Sequence, residues 1–584
     1  QQIVAVDVSA NAAGISPVTV PQTVSLEAGE ARELFWDVTA PSGVEEVTWE
    51  FDAAAKETAA RDRLRVVQRV APAVPLRVFQ ASLNQLERRF ALGVTRPADA
   101  LAGGGVRVSV RPRLGDGLSA VADAMRRYPY GCMEQKISVA VALRDQALWE
   151  RWVAQIPSYM DADGLVKYFP STTHGDPVLT AYILAISHEA GWIMPEALRR
   201  QAAQGLKRFV DGSLVRYSPL PTADLAIRKL AALEALSRYG EAEPKLLGSI
   251  AVDPNLWPTS AVIDWVGILL NMPALPNRAE RLAQAEQVLR ARLTYQGTVM
   301  VFSTEASDRL WWLMVSSDVN AVRLVLTALR LDAWQADMSR LARGALARQR
   351  AGCWDLTTAN AWGVLAMERF SQKYETEPVT GTTRVDLAGQ NRVVDWAANP
   401  KGDTALLAWP AAKAELDALH QGTGKPWLTI QSLAAIPLKE ALSSGYSIRK
   451  TVSAVDRKAP ERWSRGDIVR VRLEIEAQAD MTWVAVSDPV PAGATILGTG
   501  LGRDSRILTQ GEERKGRVWP AYEERSFGAF RAYYEVVPKG AWTVEYTLRL
   551  NQSGSFHLPP TRVEALYAPE MMGEIPNKKI DVFP

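Results

Sequence analysis

The stretch Tyr128–Ser138, YPYGCMEQKIS, opens the helical part of the chain and contains one of its two cysteines. A Tyr-Pro-Tyr-Gly turn precedes Cys132, and Gln135 follows three residues later. If a helix begins near Cys132, residues three apart lie on one face, so the thiol can reach the Gln135 amide. Attack of the thiolate on that amide, with loss of ammonia, would leave an internal thioester.

A helical pattern extends outward from this stretch, over residues 116–375. Apolar residues recur at i, i+3, i+4 and i+7 in segments such as DPVLTAYILAISHEAG, TADLAIRKLAALEALSRYG and DVNAVRLVLTALRLDA. The helices recur at fairly even spacing and are joined by short polar loops, which predicts stacked helical hairpins in an α/α toroid or bundle.

Both flanks of the helical segment have a β pattern. Short, Val-rich, alternating segments separated by turn residues include VTVPQTVSLEAG, VRVSVRPRL and DIVRVRLEIEAQ. We predict a multidomain α+β chain, with the helical segment inserted into a β domain or joined to a string of β modules. The predicted domains are antiparallel β-sandwich modules over 1–115, which include the first part of the interrupted β domain, and the helical domain over 116–375. The second part of that β domain follows over 376–440, and a final β-sandwich covers 441–584.

Composition excludes several classes of protein. The 584 residues are 47% hydrophobic and 23% charged, and 67 basic residues nearly cancel 65 acidic ones. This balance gives no basic stripe for nucleic acid. No apolar run is long enough to cross a bilayer, and no signal peptide is visible, so we expect a cytosolic protein or a trimmed fragment. Two cysteines exclude a disulfide-stapled scaffold but leave a single bridge open.

Three other chemistries have weaker support. A catalytic Cys132 needs a histidine base, but His174, His188, His420 and His557 stand in no recognisable motif. His174 and His188 are typical of solvated or core residues. The DADG of residues 161–164 lacks the later ligands of a calcium loop and predicts a turn, so we expect no metal and no cofactor. QRAGCWD, residues 349–355, is similar to terpene cyclase repeats, but the acidic run of those enzymes is missing.

Three stretches resemble bacterial alpha-2-macroglobulins. YPYGCMEQ is similar to their thioester motif, in which a Cys, a variable residue, Glu and Gln follow one another. GCWDLTTANAWGVLAM, residues 352–367, resembles a late toroid helix, and residues 486–497 and 522–574 resemble the C-terminal macroglobulin-like domain. The resemblance implies the C-terminal portion of a longer protein, with an α/α-toroid thioester domain between two parts of a CUB-like β domain.

The resemblance also assigns the motif residues one by one. Cys132 and Gln135 match the thioester pair, and Gly131 and Glu134 match the rest of the motif. Cys353 lies beside Trp354 in a helical context, which favours a buried structural thiol over a second reactive one.

Shielding residues are implied as well, because a thioester persists only where water is excluded. Tyr128 matches an aromatic shield of bacterial members, and Tyr567 matches a tyrosine that the last domain lays over the bond. Leu566 stands where relatives often have Met, a change of similar volume.

The implied function is a covalent protease trap rather than an enzyme. A protease would cut a bait region in the N-terminal part of the parent, and its lysine would attack the Gln135 acyl carbon in a single turnover. Residues 234–254 lack the histidine of complement-type members, so we expect direct aminolysis. The resemblance further implies a periplasmic, inner-membrane lipoprotein and a peptidoglycan synthase as a partner. A non-covalent scaffold with an unreactive motif is the alternative.

Overall fold

The computed structural model describes residues 3–41, 44–220, 222–250, 253–303, 310–498, 511–513 and 515–584. Its strands before the first helix are β1 (Val4–Ala12), β2 (Gln22–Leu26), β3 (Glu46–Ala55), β4 (Arg61–Arg69), β5 (Arg77–Gln85), β6 (Arg89–Val94) and β7 (Gly105–Arg111). The first four form an antiparallel sheet in the order β2-β1-β3-β4. Within these four strands Ala10 and Val47 are the buried residues, so this sheet contributes little core.

The middle of the chain is helical. Its α-helices are α1 (Ser119–Arg126), α2 (Met133–Ala142), α3 (Gln146–Val153), α4 (Ile156–Tyr159), α5 (Pro177–Glu189), α6 (Glu196–Asp211), α7 (Leu225–Arg238), α8 (Thr259–Asn271), α9 (Arg278–Ala291), α10 (Ser317–Ala328), α11 (Met338–Ala347) and α12 (Thr357–Tyr374). Short 3₁₀ turns cover Leu114–Asp116, Pro244–Ser249, Trp311–Leu313 and Asp332–Asp337. A hairpin of β8 (Leu293–Gln296) and β9 (Val299–Phe302) follows α9.

Six of these helices contact one another in a closed series. α2 packs on α5, α5 on α7, α7 on α8, α8 on α10, α10 on α12, and α12 again on α2. The helices α3, α6, α9 and α11 pack against this series. α5 is buried along most of its length, because a helix with neighbours on several sides is apolar around most of its circumference. The side chains of Asp145, Asp176 and Ser316 cap α3, α5 and α10.

The helical segment interrupts a β unit. After it come β10 (Thr382–Leu387), β11 (Gln390–Asp395), β12 (Asp403–Leu407), β13 (Ala414–Gln421) and β14 (Trp427–Ala434). These strands combine with β5–β7 in two antiparallel sheets, of order β11-β10-β13-β6 and β12-β7-β14-β5. One shared core, including Val108, Leu387 and Leu428, lies between the two sheets. Strands from both sides of the helices are therefore needed to complete this unit.

The last β unit has its own core. Its strands are β15 (Leu442–Ser444), β16 (Tyr446–Asp456), β17 (Trp463–Ser464), β18 (Ile468–Ala477), β19 (Met481–Pro489), β20 (Thr495–Ile496), β21 (Tyr522–Arg525), β22 (Ala529–Val537), β23 (Gly540–Arg549), β24 (Gly554–Phe556), β25 (Thr561–Ala565), β26 (Ala568–Ile575) and β27 (Ile580–Phe583). They form sheets of order β15-β26-β25-β19-β22-β21, β16-β18-β23-β20 and β17-β27-β24. Alternating burial along β18 places Leu473 and Ile475 in the core.

The six-stranded sheet of the last β unit packs against the helical segment. Trp483 of β19, Tyr533 of β22 and the pair Leu566–Tyr567 belong to the same apolar cluster as the helices. The pair forms the two-residue turn between β25 and β26. Because a two-residue turn leaves its residues little freedom, this hairpin fixes Tyr567 in position at the start of α2.

The α+β class predicted from the sequence is confirmed, because antiparallel sheets lie on both sides of a helical segment. Within the described ranges, none of the helices combines the length and the apolar character that crossing a membrane requires. Both cysteines are free, which excludes the single bridge that composition had left open.

Candidate functional site

Cys132 and Gln135 meet at the start of α2. Cys132 is the N-cap residue, with extended backbone at φ −70° and ψ 170°. Its sulfur accepts from the backbone N–H of Gln135, and the Gln135 side chain folds back so that Oε1 accepts from the Cys132 N–H at 3.0 Å. This reciprocal capping satisfies two amide groups that a helix start otherwise leaves unpaired. It also holds the thiol beside the side-chain amide.

Hydrogen bonds fix both ends of the Gln135 amide. The oxygen accepts from the Cys132 N–H, and Nε2 donates to the Tyr128 hydroxyl at 3.2 Å. A donor aimed at the carbonyl oxygen stabilises negative charge that develops there during attack on the carbon. The amide is therefore oriented and polarised for addition of a nucleophile.

The Cys132 thiol is fully buried and is not a ready thiolate. Burial raises its pKa well above the ordinary value, and the nearby Glu134 carboxylate adds to the shift. A catalytic cysteine of the protease type has a lowered thiol pKa and a histidine beside it. In the described part of the chain no hydrogen bond joins Cys132 to a histidine, so the arrangement does not match that class.

Glu134 lies beneath the same site as a buried carboxylate surrounded by hydroxyl groups. Ser138 of α2 and Thr357 of α12 donate to Oε1, and Tyr567 donates to Oε2 at 2.8 Å. Burial raises the pKa of Glu134, and the three hydroxyl donors oppose that shift. Glu134 thus ties α2 both to α12 and to the last β unit.

Aromatic side chains from two units cover the site. Tyr567 is 3% exposed and Leu566 is 7% exposed. The Tyr168 ring lies 4.0 Å from the Trp483 ring and 6.4 Å from the Tyr567 ring, measured between centroids. Tyr130 contacts the rings of both Tyr128 and Tyr533 edge-on. Close packing of this kind excludes water from the atoms beneath it.

The site residues predicted from the sequence do not all have the same degree of support. Tyr128 is only partly buried, and its hydroxyl contacts Gln135 directly. Gly131 has no left-handed backbone, and a Cβ there would meet Lys136 Cε at an ordinary 3.8 Å. The backbone and the packing therefore do not require a glycine at position 131.

Sequence reasoning missed several members of the site. Thr357, Ser138, Tyr168 and Trp483 are ordinary core residue types, and all but Ser138 come from outside the Tyr128–Ser138 stretch. Ser138 lies one turn after Glu134 on the same face of the helix, so the i, i+4 spacing could have predicted its contact with Glu134. Nothing in the sequence marks Trp483 as a neighbour of Tyr168.

The alternative sites are accounted for by other contacts. In the DADG segment, Arg216 Nη2 pairs with Asp161 Oδ2 at 2.7 Å and Asp163 Oδ2 at 2.6 Å, so a guanidinium fills the acidic turn. Among the described residues no group of three acidic, His or Cys side chains could hold a metal ion. His420 is buried against Thr383 in the interrupted β unit.

Cys353 differs from its prediction. It is partly exposed rather than fully buried. The residue lies in a tight turn, closed by an isolated β-bridge between Cys353 and Arg350, and not inside a helix. Burial, with added repulsion from Asp318 and Asp355, raises the pKa of its thiol to about 11. The thiol is therefore mostly protonated at neutral pH.

A groove of about 850 Å³ lies next to the aromatic cover. Its walls come from residues 315–318, 347–350 and 353–355 of the helical segment and 567–570 of the last β unit. Tyr567 thus separates the groove from the buried pair at the start of α2.

Comparison with known proteins gives matches in sequence and matches in structure. Residues 445–570 match the model of the bacterial alpha-2-macroglobulin MG10 domain. An alpha-2-macroglobulin homolog of Nostoc sp. is 22% identical over 74% of this chain and 23% of its own length. An alpha-2-macroglobulin of Xylella fastidiosa is 22% identical over 78% of this chain and 29% of its own length. The chain thus spans about a quarter of these relatives.

Solved structures share the fold over the full length of the chain. Native alpha-2-macroglobulin from Escherichia coli, spanning domain MG7 to the C-terminus, aligns with a TM-score of 0.74 at 18% identity and covers 100% of this chain and 95% of that one. Salmonella alpha-2-macroglobulin reacted with methylamine aligns with a TM-score of 0.74 at 21% identity, over 100% of this chain and 39% of that one.

Proposed function

The chain corresponds in sequence and fold to the C-terminal part of bacterial alpha-2-macroglobulins, and we propose that it carries the reactive bond of a covalent protease trap. That bond is a thioester between Cys132 and Gln135. The observation that carries the proposal is the reciprocal capping of these two residues, which holds the sulfur beside a polarised amide. The Salmonella relative, whose structure was determined after reaction with methylamine, supports an amine-reactive group in this fold.

The trap operates by transfer of the acyl group. Cleavage of a bait segment in the parent changes the relative stability of two arrangements, and the cover formed by Tyr128, Leu566 and Tyr567 leaves the bond. A lysine amine of the protease adds to the Gln135 acyl carbon. The carbon–sulfur bond breaks, Cys132 leaves as a thiolate, and the ammonium proton passes to solvent. Each molecule reacts once, so the protein inhibits and does not turn over substrate.

The groove beside Tyr567 suits the approach of an amine. It leads from the surface to the ring that closes the site, and it is the space into which a displaced Tyr567 can move. Among the described residues no histidine hydrogen-bonds to Cys132 or Gln135, so direct aminolysis is the expected route.

Several finer assignments follow from the same relationship. The closed series of helices is an α/α toroid, the interrupted β unit is a CUB-like domain, and the first and last β units are macroglobulin-like. Target proteases are the partners that the mechanism requires. We place the parent in the periplasm, held at the inner membrane by an N-terminal lipid, with a peptidoglycan synthase as a further partner.

Intact mass tests the thioester. Native protein should be lighter than its sequence by one ammonia. Methylamine should then add its full mass, which leaves the protein heavier than its sequence by one methylene group, labels Gln135 and frees one thiol. Cys132→Ala removes the nucleophile and should have its sequence mass before and after methylamine. Native protein with its sequence mass and two titratable thiols would contradict the proposal and favour a non-covalent scaffold.

A further inference from the structure

The Tyr567 hydroxyl lies between a sulfur and a carboxylate. It donates to Glu134 Oε2 at 2.8 Å and is also within hydrogen-bonding reach of the Cys132 sulfur. Formation of a thioester requires removal of the thiol proton, and the burial of Cys132 makes that removal costly. A hydroxyl that touches both groups is placed to move the proton.

We propose that Glu134 is the proton acceptor for formation of the thioester and that the Tyr567 hydroxyl relays the Cys132 proton to it. This inference rests on the function proposed above and concerns how its bond is made. Glu134 acts through Tyr567, because Tyr567 is the group that touches the reacting sulfur.

The proton returns in the second half of the reaction. The Cys132 proton moves to the Tyr567 oxygen as the Tyr567 proton moves to Glu134, and the sulfur adds to the Gln135 carbon. Sulfur and nitrogen are then bonded to one carbon, and in this proposal the Tyr567 hydroxyl passes the proton back from Glu134 to that nitrogen. The carbon–nitrogen bond breaks and ammonia leaves. Glu134 and Tyr567 end unchanged, and no oxidant or reductant is needed.

Other contacts prepare the amide for this sequence. The Cys132 N–H stabilises the negative charge that forms on the Gln135 oxygen. The Tyr128 hydroxyl accepts from Nε2 and orients the nitrogen that will leave. Both contacts exist before the bond forms, so little reorganisation is required.

The described groups that hydrogen-bond to Glu134 and to its partners are uncharged. They are hydroxyls from Ser138 of its own helix, Thr357 of α12 and Tyr567 of the last β unit, and Tyr182 of α5 bonds Ser138 in turn. The described surroundings contain no ion pair to Glu134. A carboxylate without a cation partner accepts a proton more readily than a paired one.

The order of assembly follows from the origin of Tyr567. The relay belongs to the turn between β25 and β26, whereas its sulfur and carboxylate partners belong to the start of α2. The last β unit must therefore seat on the helical segment before the thioester can form. Because the same residue then covers the bond, the bond forms only under its shield.

Refolding of the unreacted chain tests the relay. Chain recovered unfolded from inclusion bodies retains a free Cys132 and Gln135. It is refolded by dilution, quenched in acid at intervals, and weighed intact for the loss of ammonia. Tyr567→Phe keeps the ring and removes the relay, and Glu134→Gln removes the acceptor. Each should slow bond formation about a hundredfold relative to wild type, a typical contribution of proton transfer. Glu134→Asp should restore part of the rate.

Two controls separate chemistry from folding. Tyr522→Phe removes a hydroxyl at the same interface, where the Tyr522 ring stacks on Phe169, without touching Glu134, and it should form the bond at the wild-type rate. Tryptophan fluorescence follows refolding of every variant. In wild type the rate should fall as the pH falls, because protonation removes the acceptor, and Glu134→Gln should lose that dependence. Wild-type rates in Tyr567→Phe and Glu134→Gln would overturn the relay. A wild-type chain that never loses ammonia would instead overturn the proposed function.

Discussion

At the scale of single residues, the site uses the ordinary chemistry of a helix start. A helix leaves its first N–H groups unpaired, and a residue before it usually supplies an oxygen to cap them. Here sulfur and a side-chain amide supply the caps to each other. The contacts that begin α2 therefore also hold the thiol and the side-chain amide together, and substitutions at this point should affect both stability and the proposed chemistry.

Thr357 should matter for stability although it lies outside the motif. Its hydroxyl donates to the buried Glu134 carboxylate at 2.8 Å. Thr357→Val keeps the shape and removes the donor, which should lower the free energy of unfolding by about 1–3 kcal/mol. Thr357→Ser keeps the hydroxyl and should lose less. Denaturant titration followed by far-UV circular dichroism measures both, and equal losses would contradict a role for the hydroxyl.

The acidic turn at Asp161 predicts a dependence of stability on pH. Although burial would raise it, the N–H groups of Gly175 and Leu165 and the Arg216 guanidinium hold the pKa of Asp161 below its ordinary value. The pKa of Asp163 is also lowered, mainly by its hydrogen bond to Arg216. A carboxyl with a lowered pKa stabilises the fold above its unfolded pKa, about 4, and that stabilisation is lost as the pH falls.

Arg216→Met should therefore be less stable than wild type at pH 7, and the difference should shrink as the pH falls from about 5 toward 2. Thermal melts across this pH range measure it. Arg208→Met is the matched control, since Arg208 pairs with Asp163 alone and is more exposed. A difference between Arg216→Met and wild type that does not change with pH would contradict the assignment.

At the scale of elements, α12 is placed by a close contact at a glycine. A Cβ at Gly363 would lie 2.3 Å from the Trp354 ring, and that ring is fixed by its Nε1–H donating to the Ala345 carbonyl at 2.8 Å. The glycine lets α12 approach Trp354 closely. That approach helps to place Thr357, at the first turn of α12, beneath Glu134.

Gly363→Ala should destabilise the helical segment despite the better helix propensity of alanine. Propensity favours alanine by about 1 kcal/mol, and the clash with an immobile ring should cost more, about 1–3 kcal/mol or above. Gly131→Ala is the comparison, because a Cβ there meets only Lys136 Cε at 3.8 Å. It should leave the denaturation midpoint near that of wild type. A Gly363→Ala variant as stable as wild type would show that Trp354 can move.

Elements also show what the sequence could and could not predict. The helical and β segments and the start of α2 could be predicted from the sequence, because they depend on the local spacing of apolar residues and on cap residues. The pairing of β6 with β13 and of β7 with β14 was not, because it joins strands separated by the whole helical segment. The Trp483–Tyr168 contact could not be predicted either. It also joins distant parts of the chain, and the residue types alone do not show which aromatic side chains pack together.

At the scale of the whole molecule, the last β unit and the helical segment share one apolar cluster. The cover over the pair at α2 therefore depends on an interface between two units rather than on a loop. An interface of this kind can open as a rigid-body movement, and reactivity then follows the fraction of molecules that are open.

Trp483→Ala should make the site more reactive toward amines. The Trp483 ring packs 4.0 Å from the Tyr168 ring and 6.1 Å from the Phe169 ring, so its loss weakens the interface that seats Tyr567. Each loss of about 1.4 kcal/mol raises the open fraction tenfold. Reaction with methylamine, followed as released thiol, should accelerate by about tenfold or more. Phe527→Ala, which removes a ring that is 81% exposed in the same β unit, should react at the wild-type rate. Equal rates in all three proteins would mean that methylamine reaches the bond without movement of the last β unit.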